Sequence, residues 1–576
     1  FIFPPGLVLI LGAAFIPFLR GFWRDLLVLG LPVLALVCVA AGHNAPDYAF
    51  HFGNFIMVAF HASPYSTIFG VIFCLAAFGG GLFGLRQARR LELASAYLYA
   101  GAALGVVYAG DFITLFSLWE LMLIGSLLVL LSNSTPGAWR AGLRYALMHL
   151  FGGVLLMAGI IAHAVTTARD GLTPYHLTIP LDELMHLQGL GLAELADWLI
   201  LAGILVNAGG PLLSAWVADS YPESSPFGGV FLSAFTTKTA VFMLITLAAG
   251  NTVLIYAGLF MVFYGIIYAM LENDARRILS YSIINQVGFM VVAVGIGSDL
   301  ALMGAATHAF CHIIYKGLLF MSAGSVLYMT GKRKCTELGG LYHSMRLTAI
   351  CGIIGALAIS AFPLTSGFVS KSLTAEAAVE AHLPMVWYLL LAASAGVFLH
   401  AGVKFPWFVF FQKDSGLRPV DPPLNMRLAM LFFAAFCILP GLFPQALYAL
   451  LPQAAVPYEP YTPAHVITQL QLLMFAGLAF FVLLPFLKRT DTITLDFDWV
   501  YRVFLRGLLL LTERLAYTVS GVVLRWERSL LLLARHRVTR LYSRQGVLAD
   551  NWSIGTTALL LAAMLGIYLF YSYVIG

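Results

Sequence analysis

About sixteen windows of roughly 20 apolar residues follow one another along this chain, and they fix its solvent as lipid. The windows lie near 5–19, 25–42, 66–85, 91–109, 112–131, 144–165, 198–217, 228–248, 251–271, 279–297, 301–329, 348–372, 385–411, 427–450, 466–487 and 554–575. Within hydrocarbon every backbone N–H and C=O must bond inside the protein, and a window of this length does so as a helix. Charged residues make up only 10% of the chain, against about a quarter in soluble domains, which excludes an ordinary globular enzyme. The fold class expected is therefore an all-α polytopic membrane protein with about 14–16 transmembrane helices. Phe1 opens the sequence without an initiator Met. The first apolar stretch runs straight into a second and lacks a small-residue cleavage site, so it is expected to be a span and not a leader.

The loops alternate in basic content. Arg20/Arg24, Arg86/Arg89/Arg90, Arg140/Arg144, Arg276/Arg277, Lys332/Arg333/Lys334/Arg346 and Lys413/Arg418 fall on alternate turns. Loops 43–65, 166–197, 373–384 and 451–465 are acidic or nearly free of Lys and Arg. The positive-inside rule then puts the basic loops in the cytoplasm and both termini outside, in a plasma (inner) membrane. Loop 218–227 is the exception, falling on the cytoplasmic side with Asp219 and Glu223 and no base. The net charge of +5 comes from these arginine-rich loops and carries no signature of nucleic-acid binding. Residues 495–545 differ from the spans: Leu, Val and Trp recur at helical spacing with nine arginines between them, from Arg502 to Arg544. That pattern predicts a basic amphipathic helix on the cytoplasmic face, resting on anionic lipid or laid as a strut along neighbouring subunits.

Charges inside the spans point to chemistry. His308, His312 and Lys316 stand at steps of four in the run Ala301–Met329, on one helical face. Glu120 and Lys238 lie mid-span, Lys371 follows the Pro363–Gly367 stretch, and His400 and Lys404 are one turn apart. Ionisable groups at bilayer depth are costly and mark ion paths. A carboxylate and several amines that feel one another's charge suit a stepwise proton relay. A static ion pair pinning helices is the alternative for any single residue, but it explains five of them poorly. Two spans also look broken: Gly209, Gly210 and Pro211 interrupt one, Pro363 and Gly367 another, five spans apart. Paired breaks of this kind accompany two inverted five-helix repeats. The domains expected are N-terminal helices (1–90), two repeats (91–248 and 251–412), C-terminal helices (413–487), the lateral amphipathic helix (495–545) and a final anchor helix (554–575). Cysteines 38, 74, 311, 335, 351 and 437 have no metal-ligand spacing, so no cofactor, metal or disulfide framework is expected.

Several segments resemble those of one family, the antiporter-like proton-channel subunits shared by respiratory complex I and Mrp-type sodium/proton antiporters. HAFCHIIYKGLLF resembles its H-x3-H-x3-K signature, NDARRILSYSIINQVGFM its D-x-K-R-x-L segment, and LFSLWELM its glutamate-bearing span. WVADSYPESS and AFPLTSGFVSK resemble its acidic turn and its broken helix. The resemblance runs in order from about residue 90 to 412. It implies that Glu120 and Lys238 share one proton half-channel, that His308, His312 and Lys316 form a central axis, and that Lys371 stands nearest the exit. The family usually carries a lysine in the seventh-span break, where this chain has Asn207, and Ser214 replaces a common histidine. Glu120 is then expected to pair with Lys238, directly or through water, or with His149. His400/Lys404 and FLSAFTTKTAVF look closer to the D-type branch of the Mrp subunits, whereas the lateral helix resembles that of the large distal antiporter-like component of complex I.

The leading expectation is thus a proton-translocating subunit of a multisubunit membrane complex, with exchange against sodium or another cation left open. It would be an ion translocase without a redox or hydrolytic site of its own. Its partners would be other membrane subunits, contacted partly through 495–545, together with the lipid bilayer. Competing readings are a subunit of a redox-driven complex I-like NADH:quinone oxidoreductase and the membrane half of an inorganic-carbon uptake system with a zinc-containing partner. A scaffold with relic charges is the fourth.

Overall fold

A computed structural model describes residues 3–169 except 44 and 54, then 192–452, 458–487, 490, 496–543 except 498, 546 and 553–574. The chain is an all-α polytopic membrane protein, and its described residues separate into a large unit ending at Asp496 and a small one beginning at Phe497. In the large unit α1 (Pro5–Phe15) and α2 (Gly21–Gly42) lead to a hairpin, β1 (Tyr48–Phe52) and β2 (Phe55–Phe60), and then to α3 (Ser66–Gly84). The hairpin lies in a stretch that the sequence marks only as a loop. Its buried edge is anchored: Phe60 stacks on Tyr108 at 5.1 Å, and the Val58 N–H donates to Asp111 Oδ2 at 2.7 Å.

Two sets of five crossings follow. The first is α4 (Arg90–Val107), α5 (Phe112–Leu131), α6 (Pro136–Arg169), α7 (Leu192–Ala208) continued by α8 (Ala215–Ser220), and α9 (Pro226–Ala234) continued by α10 (Thr236–Leu247). The second is α11 (Thr252–Leu271), α12 (Ala275–Ile296), α13 (Asp299–Thr330), α14 (Arg346–Ile359) continued by α15 (Ser366–Glu380), and α16 (Pro384–Val397) continued by two π-helical segments, Phe398–Lys404 and Trp407–Phe411. Each set thus holds five helical segments, the last two of each set being helices continued by further segments. Then come α17 (Leu424–Leu442), α18 (Pro444–Tyr448) and α19 (Pro463–Val482). The small unit holds α20 (Leu505–Tyr542) and α21 (Ile554–Val574). At 38 residues α20 is about 57 Å long, unbroken at Gly507 and Gly521, with its leucines from Leu508 onward and its arginines alike exposed.

Among the described residues 13 helices are long and apolar enough to cross a membrane. One is the amphipathic α20; the other twelve match windows read from sequence. The remaining windows hold shorter helices: α1, α4 and the two pairs interrupted by proline, α7/α8 and α14/α15. Polar caps set several ends. Asp111 accepts from Ile113 and Thr114 N–H at the start of α5, and Asp274 does the same for Arg276 and Arg277 at the start of α12. Ser298 opens α13, which closes on Gly331 in the left-handed region at φ 69°. Between those caps α13 is buried almost throughout, packed by α3, α9, α12, α14, α15 and α17, and it forms the core.

The two proline breaks are the same turn built twice. Gly209 and Leu212 have positive φ (75° and 67°) around Pro211; Ala361 and Leu364 have 57° and 70° around Pro363. Gly210 N–H donates five residues back to Leu205 O at 2.7 Å, as Phe362 N–H does to Leu357 O at 3.1 Å. Proline supplies no N–H and its ring crowds the preceding turn, so each helix must stop there and restart. A third interruption, at Phe235 between α9 and α10, has no proline. There Tyr99 of α4 inserts its hydroxyl, which accepts from the Thr236 N–H at 2.9 Å and meets Thr236 Oγ1 at 2.6 Å.

The acidic loop that broke the charge alternation is accounted for by its neighbours. Asp219 takes Arg144 Nε at 2.6 Å, and Glu223 takes Arg333 at 2.8 Å. Arg276 donates to the carbonyls of Pro222, Ser224 and Ser225 at 3.0, 2.6 and 3.0 Å. The acidic turn therefore sits on the same face as the basic loops and is neutralised by them.

Candidate functional site

The interruptions hold the lysines. Where a helix stops, its last carbonyls lose their partners inside the helix and become acceptors for side chains. Lys238, fully buried in α10, donates to Ser233 O at 2.5 Å and to Thr237 Oγ1 at 3.0 Å, just across the Phe235 interruption. Lys371 in α15 donates to Ile359 O, the last residue of α14, at 2.8 Å, and its ammonium lies 5.1 Å from the centre of the Phe289 ring. Lys404 donates to Ala269, Met270 and Glu272 carbonyls at 3.0, 2.6 and 2.6 Å, capping the C-terminus of α11. Its π-helical setting has a local cause. Pro406 cannot donate, and the Phe405 N–H reaches five residues back to His400 O.

Between these lysines runs the α13 row. His308 Nδ1 meets Ser370 Oγ of α15 at 2.9 Å, and its Nε2 stands 3.4 Å from the Tyr315 hydroxyl. Tyr315 donates to Gln286 Oε1 at 3.1 Å, Gln286 donates to Asn285 Oδ1, and Asn285 donates to Val262 O at 2.9 Å. Lys316 donates to Leu279 O of α12 at 3.0 Å. His312 is wholly buried, 6.3 Å from His308 and 5.3 Å from Tyr315 between ring centres, and neither ring nitrogen has a hydrogen-bond partner among the described residues. It lies within electrostatic range of Lys238, Lys316, His308 and Lys371. His400, bonded through Nδ1 to Gly396 O at 2.8 Å, is in turn within range of Lys316, Lys404 and Lys371. Lys238, His308, His312, Lys316 and Lys371 thus form a cluster in the core in which each lies within electrostatic range of several others, and His400 and Lys404 continue it as a file.

The first half of the expected site is arranged differently. His149 Nδ1 joins Asn207 Oδ1 at 2.6 Å, with the His149 ring 4.1 Å from Tyr145 and 4.5 Å from Trp216. Asn207 therefore occupies the histidine, and neither bonds Glu120. Glu120 projects from α5 against Gly153 of α6 and is half-buried; among the described residues no hydrogen bond or ion pair joins it to Lys238 or His149. Of the expected pairings of Glu120, neither the direct one with Lys238 nor the one with His149 forms among the described residues, which leaves the one through water. Ser214, where the family has histidine, turns inward and donates to Gly209 and Gly210 carbonyls, each at 2.7 Å, so it closes the break.

Sequence reasoning passed over Tyr99, Asn285, Gln286, Tyr315 and Ser370, which link the titratable groups. Amides and hydroxyls carry no charge to stand out in an apolar window. Asn285 and Gln286 had their signal in the segment SYSIINQ and Ser370 in GFVSK; Tyr99 and Tyr315 had none of their own. Buried polar atoms such as His312 Nδ1 and Nε2, His400 Nε2, Thr239 Oγ1, Ser282 Oγ and Thr307 Oγ1 have no hydrogen-bond partner among the described residues. Groups of this kind in native interiors are satisfied by water.

Comparison with known proteins places this architecture among relatives. The family described as "NADH:quinone oxidoreductase/Mrp antiporter, TM" matches residues 109–398, half of the chain. The Na(+)/H(+) antiporter D subunit of Alkalihalophilus pseudofirmus is 31% identical over 285 residues, covering 48% of this chain and 56% of that one. A probable K(+)/H(+) antiporter A/B subunit of Rhizobium meliloti is 29% identical over 377 residues, covering 60% and 36%. The chain thus spans about half or less of these two relatives. A chain of the Mrp complex from Dietzia sp. DQ12-45-1b superposes with a TM-score of 0.73 at 21% identity, over 93% of this chain and 62% of that one. That likeness establishes a shared fold.

Proposed function

Because the chain belongs to the NADH:quinone oxidoreductase/Mrp antiporter transmembrane family, we propose that it is a proton-translocating, antiporter-like subunit of a multisubunit membrane complex. The observation that carries this reading is the cluster of buried Lys and His side chains in the core and the file that continues it, each member within electrostatic range of another. A proton arriving at one member repels its neighbours, so charge moves along the file in steps. Tyr315, Gln286, Ser370 and the hydroxyls of Thr239 and Thr307 supply hydrogen-bonding positions between carriers. Glu120, half-buried and apart from Lys238, acts as the intake acid; His149 and Asn207 are a neutral link beside it. Lys404, with three carbonyls around it, holds its charge most firmly and ends the file.

The Alkalihalophilus relative, named for Na(+)/H(+) exchange, favours coupling to a cation gradient elsewhere in the complex. A redox-driven assembly of the complex I type, or a carbon-uptake assembly with a zinc-containing partner, differs in the partners that co-purify, and purification separates the three. In this reading the basic loops lie in the cytoplasm, both termini lie outside, and α20 runs along neighbouring subunits.

Two experiments test it. Lys238→Met and Glu120→Gln, assayed as dye-reported proton uptake in vesicles carrying the assembled complex, should each lower uptake by about a hundredfold or more, the range seen when a positioned acid or base is removed. Full uptake in both variants would sink the relay. Removing residues 497–576 should release the truncated chain from its neighbours on a native gel while it keeps its helical circular dichroism. If the truncated chain stays in the intact complex, α20 is no strut.

A further inference from the structure

Beyond Lys371 the core opens. A cavity of about 220 Å3 is lined in part by Lys371, with other polar groups from Ser372, Thr374 and Glu376 on the α15 side and from His465, Thr468 and Gln469 on the α19 side. Most of the rest of its wall is apolar, including Phe289, Phe368 and Trp387, so the several waters it has room for, at about 30 Å3 each, would line up along the polar groups. Its far end is marked by Glu376 and His465, whose side chains are 40% and 28% exposed and meet at 3.3 Å between Oε2 and Nε2. Glu376 stands one turn before the end of α15, and His465 lies in the first turn of α19. Both helix ends reach the same membrane face. By the charge alternation of the loops that face is the outer one.

Helix α19 lies outside the matched family region, which ends at residue 398, yet it is built into the second break. Gln469 Nε2 donates to Ser360 O at 3.0 Å, taking up a carbonyl at the interruption. Tyr461 stacks on Phe368 at 5.2 Å and donates to Gly441 O, and Tyr458 stacks on His465 at 6.1 Å. The titratable groups around the mouth are Lys371, Glu376, His465, Glu459, Tyr448, Tyr458 and Tyr461; α16 contributes Trp387, Leu390 and Ser394 and no charge.

We propose that Glu376 is the terminal proton acceptor of this cavity, taking the proton that leaves Lys371 and passing it to bulk water. The inference rests on the proton-relay reading above and adds the outlet to it. Lys371 and Glu376 both line the cavity; they are five residues apart on one helix, about 7.5 Å along its axis and about 140° around it, so transfer between them runs through the cavity's waters. In the step an N–H bond of the Lys371 ammonium breaks and an O–H bond forms on a Glu376 carboxylate oxygen, with water relaying between them. Ammonium and carboxylate become amine and acid. The acid then loses its proton to outer water, and the carboxylate is restored beside His465.

The test uses the assembled complex in vesicles. Glu376→Gln keeps shape and hydrogen bonding but cannot take a proton, so proton transport should fall at least tenfold, whereas Glu376→Asp should retain most of it. Lys371→Met serves as the reference for the relay. If Lys371→Met is inactive and Glu376→Gln moves protons like wild type, the outlet is wrong and the relay stands; if both transport normally, the relay itself falls. Glu376→Cys guards against a variant that fails to assemble. In assembled complex, a membrane-impermeant negatively charged thiol reagent added outside should label it, and the carboxylate-bearing adduct should recover transport. A thiol at this position that reacts only from the cytoplasmic side would overturn the proposal.

Discussion

Lys316→Met is expected to leave the complex assembled and unable to move protons, with transport down by about a hundredfold or more. Lys316 is fully buried, and its ammonium donates to Leu279 O in the second turn of α12 at 3.0 Å. That carbonyl keeps its own helical partner when the lysine goes, so no buried acceptor is orphaned. Methionine fills nearly the same unbranched volume, and near-isosteric swaps in a core are tolerated. Removing an uncompensated buried amine also spares its desolvation, so the variant should unfold no more easily than wild type. What is lost is the carrier between His312 and His400. Lys316→Arg sharpens the experiment: guanidinium keeps a charge and does not give up its proton. Transport blocked in both variants identifies proton exchange as the requirement. If Arg restores transport, a fixed charge suffices, and the file is an electrostatic filter instead of a conductor.

Gly367→Ala should damage the fold more than any other single methyl in the second set of helices. A Cβ at residue 367 would collide with Ala358 O and stand 2.9 Å from its carbonyl carbon, and these are backbone atoms that no rotamer change can clear. Overpacking of this kind costs about 1–3 kcal/mol or more. The start of α15 would have to move away from the end of α14, drawing Lys371 off Ile359 O and widening the break. The expected outcome is a clear drop in thermal unfolding temperature in detergent and loss of transport together. An alanine variant with unchanged stability would mean that the two half-helices are not packed this closely.

How much of this could be read in advance depended on the physical size of each signal. Apolar windows and proline breaks impose several kcal/mol each, and both were legible. The interruption at Phe235 was not, because it arises from a tertiary bond: Tyr99 lies 137 residues from Thr236 and carries no local mark. The hairpin at 48–60 was hidden in a loop with little charge, and its strands rest on Asp111 and Tyr108. Lys404 was legible as a buried charge, but its three carbonyl partners belong to the end of α11, 132 to 135 residues earlier. The resemblance to antiporter-like subunits suggested a partner for Glu120 by analogy; the hydrogen bond that binds His149 to Asn207 instead joins residues 58 apart and has no local sign.

The twin turns at Pro211 and Pro363 keep one backbone path with quite different residues around them, Asn207 and Ser214 in one, Lys371 in the other. Shape there is written by proline and a few main-chain bonds, and so the cargo-handling side chain can be exchanged without rebuilding the frame. Such a chassis can gain or shed a carrier in a single mutational step. Lineages built on it are free to drift between ions while their skeleton stays the same.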